Sequence, residues 1–407
     1  MEEKKRSKSS NSNSAEQIGY NEGLLTEILL KVPTRSLLKF KLVSKQWMSL
    51  ISSTHFCVTH TRTQASDLKP SALFIDGCSL SPSKIPLLPI DFDSTQRFPP
   101  FDFIDPNPPP LRILQSCSGL LICSSVNKST YYICNPTTKK FKKFTFRSKD
   151  CSDVAVNLAF DPLKSPHYKV IFVAMAYICT PSPSDTSQIK RKCYIEIYSS
   201  EPNPCCSSKI EFDSKEGVSL DHGVCSSKIE FDSKEGVSLD NGVFCNGSIH
   251  WYSYQELHYL DLDKECVTTM SMPRVNNVTE CYFGASGGHL NYVCGYLRDI
   301  RLGINIYEME QDYSKWNFKY NLTLAEIITA HWSDFHYSYL PDFLLMCAIN
   351  SGDEGYSFYA VFPDGRAISY NFKNGTSKAL QLSNIKRYNF GKFPRMACQY
   401  IESLAWV

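Results

Sequence analysis

From Thr63 to the end of the chain, the sequence is a series of short apolar runs separated by Gly, Pro, Asn and Asp. Runs of about four to eight residues between such turn residues predict β-strands rather than helices. Asp364-Gly365 and Asn374-Gly375 each lie between two apolar runs, and both dipeptides favour tight hairpin turns. We therefore expect a large β-domain after Thr63.

The β-domain repeats one hairpin pattern, in which an apolar strand leads through a polar turn into a charged or Thr-rich strand. The hairpins span residues 129–144, 256–272, 303–320 and 365–382. Repeats of this kind predict the radial blades of a β-propeller. The last strand, within residues 399–407, has no later partner. Its pairing with an early strand at residues 71–77 would close a ring of about six blades and remove the exposed edges.

A stretch of nineteen residues occurs twice in succession, at residues 206–224 and 225–243. The two copies differ only at His222 and Asn241. Such near-identity indicates a recent tandem insertion, and a blade needs only one copy. Because the cost of closing a loop grows slowly with its length, the other copy can form a surface loop at a cost of about 1 kcal/mol. The sequence leaves open which copy pairs, since two registers are nearly equivalent.

The composition is that of a soluble protein with a sizeable core. Of the 407 residues, 43 % are hydrophobic and 21 % are charged, and the net charge of +2 selects neither nucleic acid nor an anionic membrane. The longest apolar run, residues 168–180, is shorter than the roughly 20 residues that span a membrane. The 17 cysteines are odd in number and show no metal-binding spacing. We expect buried free thiols, a cytoplasmic or nuclear location, and no cofactor.

Residues 24–52 show helical rather than strand spacing. Leucine and isoleucine recur with a helical period between residues 24 and 29, Pro33 interrupts the pattern, and Ser44 is placed to cap a third helix. Three short helices cannot hide all of their large apolar side chains, so the helices pack on the β-domain or bind another protein. The apolar set comprises Leu24, Leu25, Ile28, Leu29, Leu30, Val32, Leu37, Leu38, Phe40, Leu42, Val43, Trp47, Met48, Leu50 and Ile51.

The order of these residues resembles the F-box motif. Its elements are Leu24-Leu25, Glu27-Ile28-Leu29, Val32-Pro33, Ser36-Leu37-Leu38-Lys39-Phe40, Val43-Ser44-Lys45 and Trp47. Most of the β-domain is similar, segment by segment, to the kelch-like F-box-associated domain of plant proteins. We expect a disordered polar tail at residues 1–19, an F-box at 20–55, a linker at 56–70 and the propeller-like domain at 71–407. The fold class is thus mainly β, with a small amino-terminal helical module.

The resemblance implies a non-catalytic subunit of an SCF-type cullin-RING ubiquitin ligase. The F-box would bind the S-phase-kinase-associated adaptor, and the β-domain would capture a protein substrate for ubiquitination and degradation. Tyr20 and Asn21 replace the family's usual Leu-Pro at the start of the first helix. The adaptor-binding residues that the resemblance implies are Leu24, Leu25, Ile28, Leu29, Val32, Pro33, Leu37, Leu38, Val43 and Trp47. It identifies no substrate-binding residue.

Two other functions fit the sequence. The β-domain could be a propeller that binds a small ligand or a glycan, with the helices only capping it. Alternatively, the chain could bind the adaptor without any ligase output.

Three patterns suggest chemistry but are interpreted as structural. Residues 284–288 form a G-x-S-x-G pattern that precedes a strand, whereas a nucleophile elbow leads into a helix. His331 and His336 have no third metal ligand at suitable spacing. The aromatic segment around Trp251 and Tyr252, which includes Tyr254, is expected to pack between blades.

Overall fold

The computed structural model divides the chain into an amino-terminal helical part and a ring of β-sheets. It describes residues 21–65, 69–76, 87–90, 101–104, 111–145, 153–180, 188–201, 229–233, 239–253, 256–298, 301–332, 345–362, 365–381 and 396–407. The predicted tail, Tyr20, Tyr254 and His336 lie outside these residues. The helices are α1 (Glu22–Leu30), α2 (Thr34–Phe40), α3 (Lys45–Ser52), α4 (Thr54–Gln64) and α5 (Leu324–His331). We call α1–α4 the helical module; α4 is an addition to the three predicted helices.

The strands form six antiparallel sheets, which are the blades of a propeller, as the sequence predicts. In chain order the strands are β1 (Pro70–Asp76), β2 (Leu87–Pro89), β3 (Leu111–Cys117), β4 (Leu120–Ser125), β5 (Tyr131–Asn135), β6 (Lys140–Phe144), β7 (Asp153–Ala159), β8 (Lys169–Thr180), β9 (Gln188–Ser199), β10 (Ile229–Ser233), β11 (Val243–Cys245), β12 (Ser248–Tyr252), β13 (Glu256–Asp261), β14 (Cys266–Ser271), β15 (Val278–Ser286), β16 (His289–Arg298), β17 (Arg301–Met309), β18 (Trp316–Thr323), β19 (Leu345–Asn350), β20 (Tyr356–Val361), β21 (Arg366–Asn371), β22 (Thr376–Gln381) and β23 (Met396–Ile401).

Blades 1 to 5 are consecutive four-stranded meanders, from β3–β6 to β19–β22, and blade 6 combines β1, β2 and β23. In blade 6 the last strand pairs with the first, with Ala72 opposite Tyr400 and Phe74 opposite Cys398. The predicted closure of the ring is therefore confirmed. It pairs the two ends of the propeller, with β1 in the middle of the sheet between β2 and β23.

The turns follow the residues that predict them. Between β5 and β6, the Asn135 side-chain oxygen accepts hydrogen bonds from the backbone N–H groups of Thr137 and Thr138 at 2.9 and 3.2 Å, which fixes the turn. Gly375 closes the turn between β21 and β22 with a φ of 67°, a value that favours glycine. The hairpin predicted at Asn374-Gly375 is therefore confirmed, whereas Asp364 lies outside the described residues.

The second copy of the duplicated segment supplies the outer strand of blade 2. Ile229 pairs with Ile195 and Ser233 with Arg191, so β10 lies antiparallel to β9. The end of the same copy contacts blade 2 through Asn157, a buried residue that accepts a hydrogen bond from the Gly242 N–H at 2.7 Å. Asn157 also accepts from the Trp251 indole N–H at 3.3 Å. Trp251 is fully buried between blades 2 and 3, which confirms its predicted packing role.

The described cysteines behave as small buried hydrophobes, as expected. Of the eleven cysteines whose side chains the structure describes, all except Cys266 and Cys281 are buried. Burial raises the pKa of Cys117 to about 12. It does the same for Cys347, in the inner strand β19. Because a thiol is reactive only as its thiolate, these core residues are chemically inert at neutral pH.

Two elements differ from the simple blade pattern. Helix α5 lies between blades 4 and 5 and buries Leu324 and Ile328 against the β17–β21 core. The Pro-rich connector before β3 enters the core at Phe101, whose ring packs edge-on to Phe74 with 5.3 Å between the centroids. An aromatic side chain thus anchors this connector in the core.

Candidate functional site

Side-chain hydrogen bonds cap the start of three of the four helices in the module, whereas α2 begins after Pro33 without such a cap. The side-chain oxygens of Asn21, Ser44 and Ser53 cap α1, α3 and α4 by accepting backbone N–H bonds at 3.1 to 3.2 Å. The predicted cap at Ser44 is confirmed. Helix α4 returns along α1, where Gln64 donates a side-chain bond to the Leu30 carbonyl at 3.1 Å. The module is thereby fixed as a compact four-helix unit.

The module has a small apolar core that includes a residue from the far end of the chain. In α1 the helical period turns Leu25 and Leu29 inward, where each is at most 2 % exposed. These residues meet the fully buried Leu37 of α2. Leu404, which follows β23, completes the core and is only 1 % exposed. The remaining core residues are Ile51, Phe56 and Cys57.

Five large apolar side chains of the module are left in contact with solvent. The opposite face of α1 exposes Leu24 by 47 % and Ile28 by 51 %. The turn between α2 and α3 exposes Leu42 by 88 % and Val43 by 61 %, and Met48 in α3 is 50 % exposed. We call these five residues the apolar ridge. Exposed apolar side chains that are concentrated in one small module are typical of a protein-binding surface.

The ten residues implied by the resemblance fall into three groups. Leu25, Leu29 and Leu37 are buried in the module and can only support a contact surface. Val32, Leu38 and Trp47 are half-buried against the core, and the Trp47 ring packs edge-on to Phe40. The exposed members are Leu24, Ile28, Pro33 and Val43. Leu42 and Met48 are missing from the implied set, although both belong to the apolar excess that the sequence shows.

The carboxy-terminal residues 402–407 attach the module to the propeller, and we call them the strap. On the module side, the Glu402 carboxylate pairs with the Arg35 guanidinium at 2.5 Å. On the propeller side, the Asn135 amide donates hydrogen bonds to the carbonyls of Ser403 and Ala405 at 3.0 and 2.9 Å. The last residue, Val407, is buried in the core of blades 1 and 2. The strap thus bonds simultaneously to both parts of the chain.

The propeller axis opens into a cavity of about 720 Å³, lined mainly by the ends of the inner strands. The G-x-S-x-G pattern lies here as the hairpin between β15 and β16, with Gly287 and Gly288 at φ values of 61° and 78°. Ser286 is engaged across the blades, since its hydroxyl accepts the Asn350 N–H at 2.9 Å. A strand follows instead of a helix, so the predicted turn is confirmed and the pattern is not a nucleophile elbow.

No candidate metal centre is found in the described part of the chain. Its residues contain no group of three or more His, Cys, Asp or Glu side chains that could hold a metal ion. His331 instead lies 2.9 Å from the Ser377 hydroxyl. Among the described helices, none is long and apolar enough to cross a membrane.

Comparison with known proteins locates the module in a family. Residues 22–59 match the F-box domain family. The F-box protein At5g07610 of Arabidopsis thaliana is 27 % identical over 433 aligned positions, which cover 97 % of this chain and 94 % of the relative. The F-box protein At5g49610 of the same plant is 30 % identical over 127 positions, or 30 % of this chain and 32 % of the relative.

Solved structures resemble the ring only distantly. The β-propeller domain of Vanderwaltozyma polyspora Nup133 is 10 % identical, with a TM-score of 0.36, and the match covers 79 % of this chain and 77 % of that chain.

Proposed function

The chain is an F-box protein with a six-bladed β-propeller after its F-box, and on this premise we propose that it is the substrate receptor of an SCF-type cullin-RING ubiquitin ligase. In this role the helical module binds the S-phase-kinase-associated adaptor. The propeller binds a target protein, and the other ligase subunits supply the chemistry. The receptor itself is non-catalytic.

The apolar ridge is the observation that carries this proposal. A free module would keep Leu24, Ile28, Leu42, Val43 and Met48 in water, which is unfavourable by roughly 25 cal/mol for each Å² of apolar surface. The ridge lies within the residues that match the F-box domain. A protein partner that covers the ridge removes this surface from water. The competing idea that the helices only cap the propeller leaves the ridge unexplained.

The receptor acts by proximity. Binding of a target on the propeller and of the adaptor on the module raises the local concentration of target lysines near a ubiquitin-charged enzyme. Such an increase depends on a defined geometry between the two binding sites. The strap, through the Arg35–Glu402 ion pair and the buried Leu404, supports such a geometry.

Substitution of two ridge residues tests the adaptor contact. In the full-length chain, Leu42→Asp with Val43→Asp should abolish co-purification with the adaptor, because both side chains are exposed and charge opposes their desolvation. The same double variant should fold normally, as shown by unchanged circular dichroism and thermal unfolding. Substitution of Leu37 by a charged residue is unsuitable for this test. The Leu37 side chain is fully buried, so such a substitution would unfold the module.

Leu163→Asp is the matched control, because Leu163 is 53 % exposed but lies in the propeller, outside the F-box match. This variant should retain the adaptor. Adaptor retention by the folded Leu42→Asp, Val43→Asp protein would refute the proposed contact. Failure of the wild-type chain to bind any adaptor would refute the receptor function itself.

A further inference from the structure

We propose that lysines from the helical module and from blade 1 form one basic patch that binds an acidic surface of the same protein that covers the apolar ridge. The patch consists of Lys39, Lys41, Lys45, Lys139 and Lys140. This inference rests on the proposed function and adds a role for the propeller, since two of the five lysines belong to blade 1. The partner is thereby defined chemically, as a protein with an acidic rim around an apolar contact.

The charge of the module is unevenly distributed, since its two carboxylates, Glu22 and Glu27, both lie in α1. Residues 31–64 contain six Lys and Arg residues and no Asp or Glu, whereas the whole chain has a net charge of only +2. Lys39 and Lys45 are exposed and lie on either side of Leu42 and Val43, the most exposed members of the ridge. The basic charge therefore borders the apolar surface that needs a partner.

Blade 1 adds its own lysines next to this part of the module. Lys139 and Lys140 are exposed at the turn into β6. The Lys140 ammonium lies 3.8 Å from the centroid of the Trp406 ring, in the strap that joins the module to the propeller. Burial lowers the pKa of Lys41, the nearby Cys57 opposes this shift, and the charge of Lys140 adds to it. The fold thus brings together two lysines that are 99 positions apart in the sequence (140 − 41).

No carboxylate of the described residues neutralises this patch. Within the part of the chain that the structure describes, none of the five lysines forms an ion pair, and the nearby Glu402 is taken by Arg35. Like charges held together in this way repel one another, and an acidic partner relieves the repulsion. The neighbouring ridge decides between partner classes, because exposed leucine and valine side chains suit an apolar protein surface rather than a phosphate backbone.

Two double variants with substitutions in β6 and its turn test whether binding depends on the patch itself or only on the positive charge of this part of blade 1. Lys139→Glu with Lys140→Gln removes the propeller's part of the patch. Lys143→Glu with Lys142→Gln makes the same change of charge further along the strand, where Lys143 pairs across from Tyr132. The adaptor affinity of each full-length variant is measured at low and at near-physiological salt, after thermal unfolding has verified that both fold.

The first pair should weaken adaptor binding by about tenfold and flatten its salt dependence, while the second pair should stay within about twofold of wild type. Equal affinities for the two pairs would overturn the inference but not the receptor function, because wild type would still bind the adaptor. Duplex DNA is the second probe. If wild type binds DNA, and the first pair loses that binding with adaptor affinity intact, the patch is a nucleic-acid site and the inference is wrong.

Discussion

His250 is a buried histidine that is held neutral in the folded protein. Its ring contacts those of Tyr259 and Tyr313, with centroid distances of 5.6 and 5.4 Å, and the two tyrosine rings stack on each other at 5.1 Å. Nδ1–H donates to the Val243 carbonyl at 3.1 Å, whereas Nε2 is buried without a hydrogen-bond partner in the described structure. A second proton would leave an unsatisfied buried N–H. Burial accordingly lowers the pKa of His250 from 6.5 to about 4.

This pKa makes the stability of the propeller depend on pH. The unfolded chain takes up the proton near pH 6.5, but the folded chain does so only near pH 4. The folded state therefore has its full stability, as far as His250 is concerned, above pH 6.5. As the pH falls from 6.5 towards 4, proton uptake by the unfolded chain lowers the free energy of unfolding by up to about 3 kcal/mol. We expect His250→Phe, which retains the stacking, to flatten the dependence of the free energy of unfolding on pH in this window.

The exposed His55 provides the control. When the free energy of unfolding is measured with urea at a series of pH values, His55→Phe should show the same dependence on pH as wild type. A wild-type slope in the His250→Phe protein would show that this histidine is not the group that titrates.

At the same scale, part of the apolar ridge is predictable from the sequence and part is not. The helical period of α1 already separates Leu24 and Ile28 from Leu25 and Leu29, and the structure has the two pairs on opposite faces. The turn after α2 is different, because nothing local indicates that Leu42 is exposed. Its exposure depends on which residues fill the core, and Leu404 fills part of it from the far end of the chain.

At the scale of elements, the hairpins are predictable but the choice between the duplicated segments is not. Four hairpins follow from turn residues and strand pattern, because both signals are local. The two copies of the duplicated segment present the same strand to β9, so the strand pattern does not separate them. The structure uses the second copy, in which Asn241 has a φ of 65°. Asparagine tolerates this left-handed conformation well, and the first copy has His222 at the equivalent position.

Deletion of either copy tests this account. Removal of residues 206–224 or of residues 225–243 gives two chains that differ only by Asn or His at the position of Asn241. Both chains should fold, and removal of the first copy should change the free energy of unfolding by only about 1 kcal/mol, since the second copy supplies β10 and the cost of closing a connection changes slowly with its length. The chain with His should be less stable than the chain with Asn, by about 0.5 kcal/mol.

Chemical unfolding of the two single-copy chains in parallel provides the measurement. Loss of folding in the chain that lacks residues 206–224 would show that the first copy is structurally required. Equal stability of the two chains would show that the left-handed conformation of Asn241 is not the reason why the second copy supplies β10.

At the scale of the whole molecule, closure of the ring determines where the module is attached. Because β23 pairs with β1, the chain leaves the propeller close to where it entered from α4, and the strap reaches the module. The sequence predicts the closure, since an unpaired last strand needs a partner. It does not predict the strap, whose contacts with Asn135 and Arg35 join residues more than 260 positions apart.

The strap leads to a prediction about the coupling of the two parts. Leu404→Ala removes a buried side chain from the core of the module and should destabilise the module by about 3 kcal/mol. The propeller does not depend on this side chain, because Leu404 packs with Leu25, Leu29 and Leu37. Hydrogen exchange should therefore show faster exchange in α1–α4 and unchanged protection in β12 and β16.

Trp406→Ala is the comparison for Leu404→Ala, because Trp406 is 37 % exposed and lies on the propeller side of the strap, under Lys140. It should leave the exchange of the helices close to that of wild type. Equal loss of protection in helices and strands of the Leu404→Ala protein would mean that module and propeller unfold as one unit. Unchanged exchange in α1–α4 would mean that the module is stable without the strap, and a receptor with that property could not rely on the strap to fix the distance between adaptor and target.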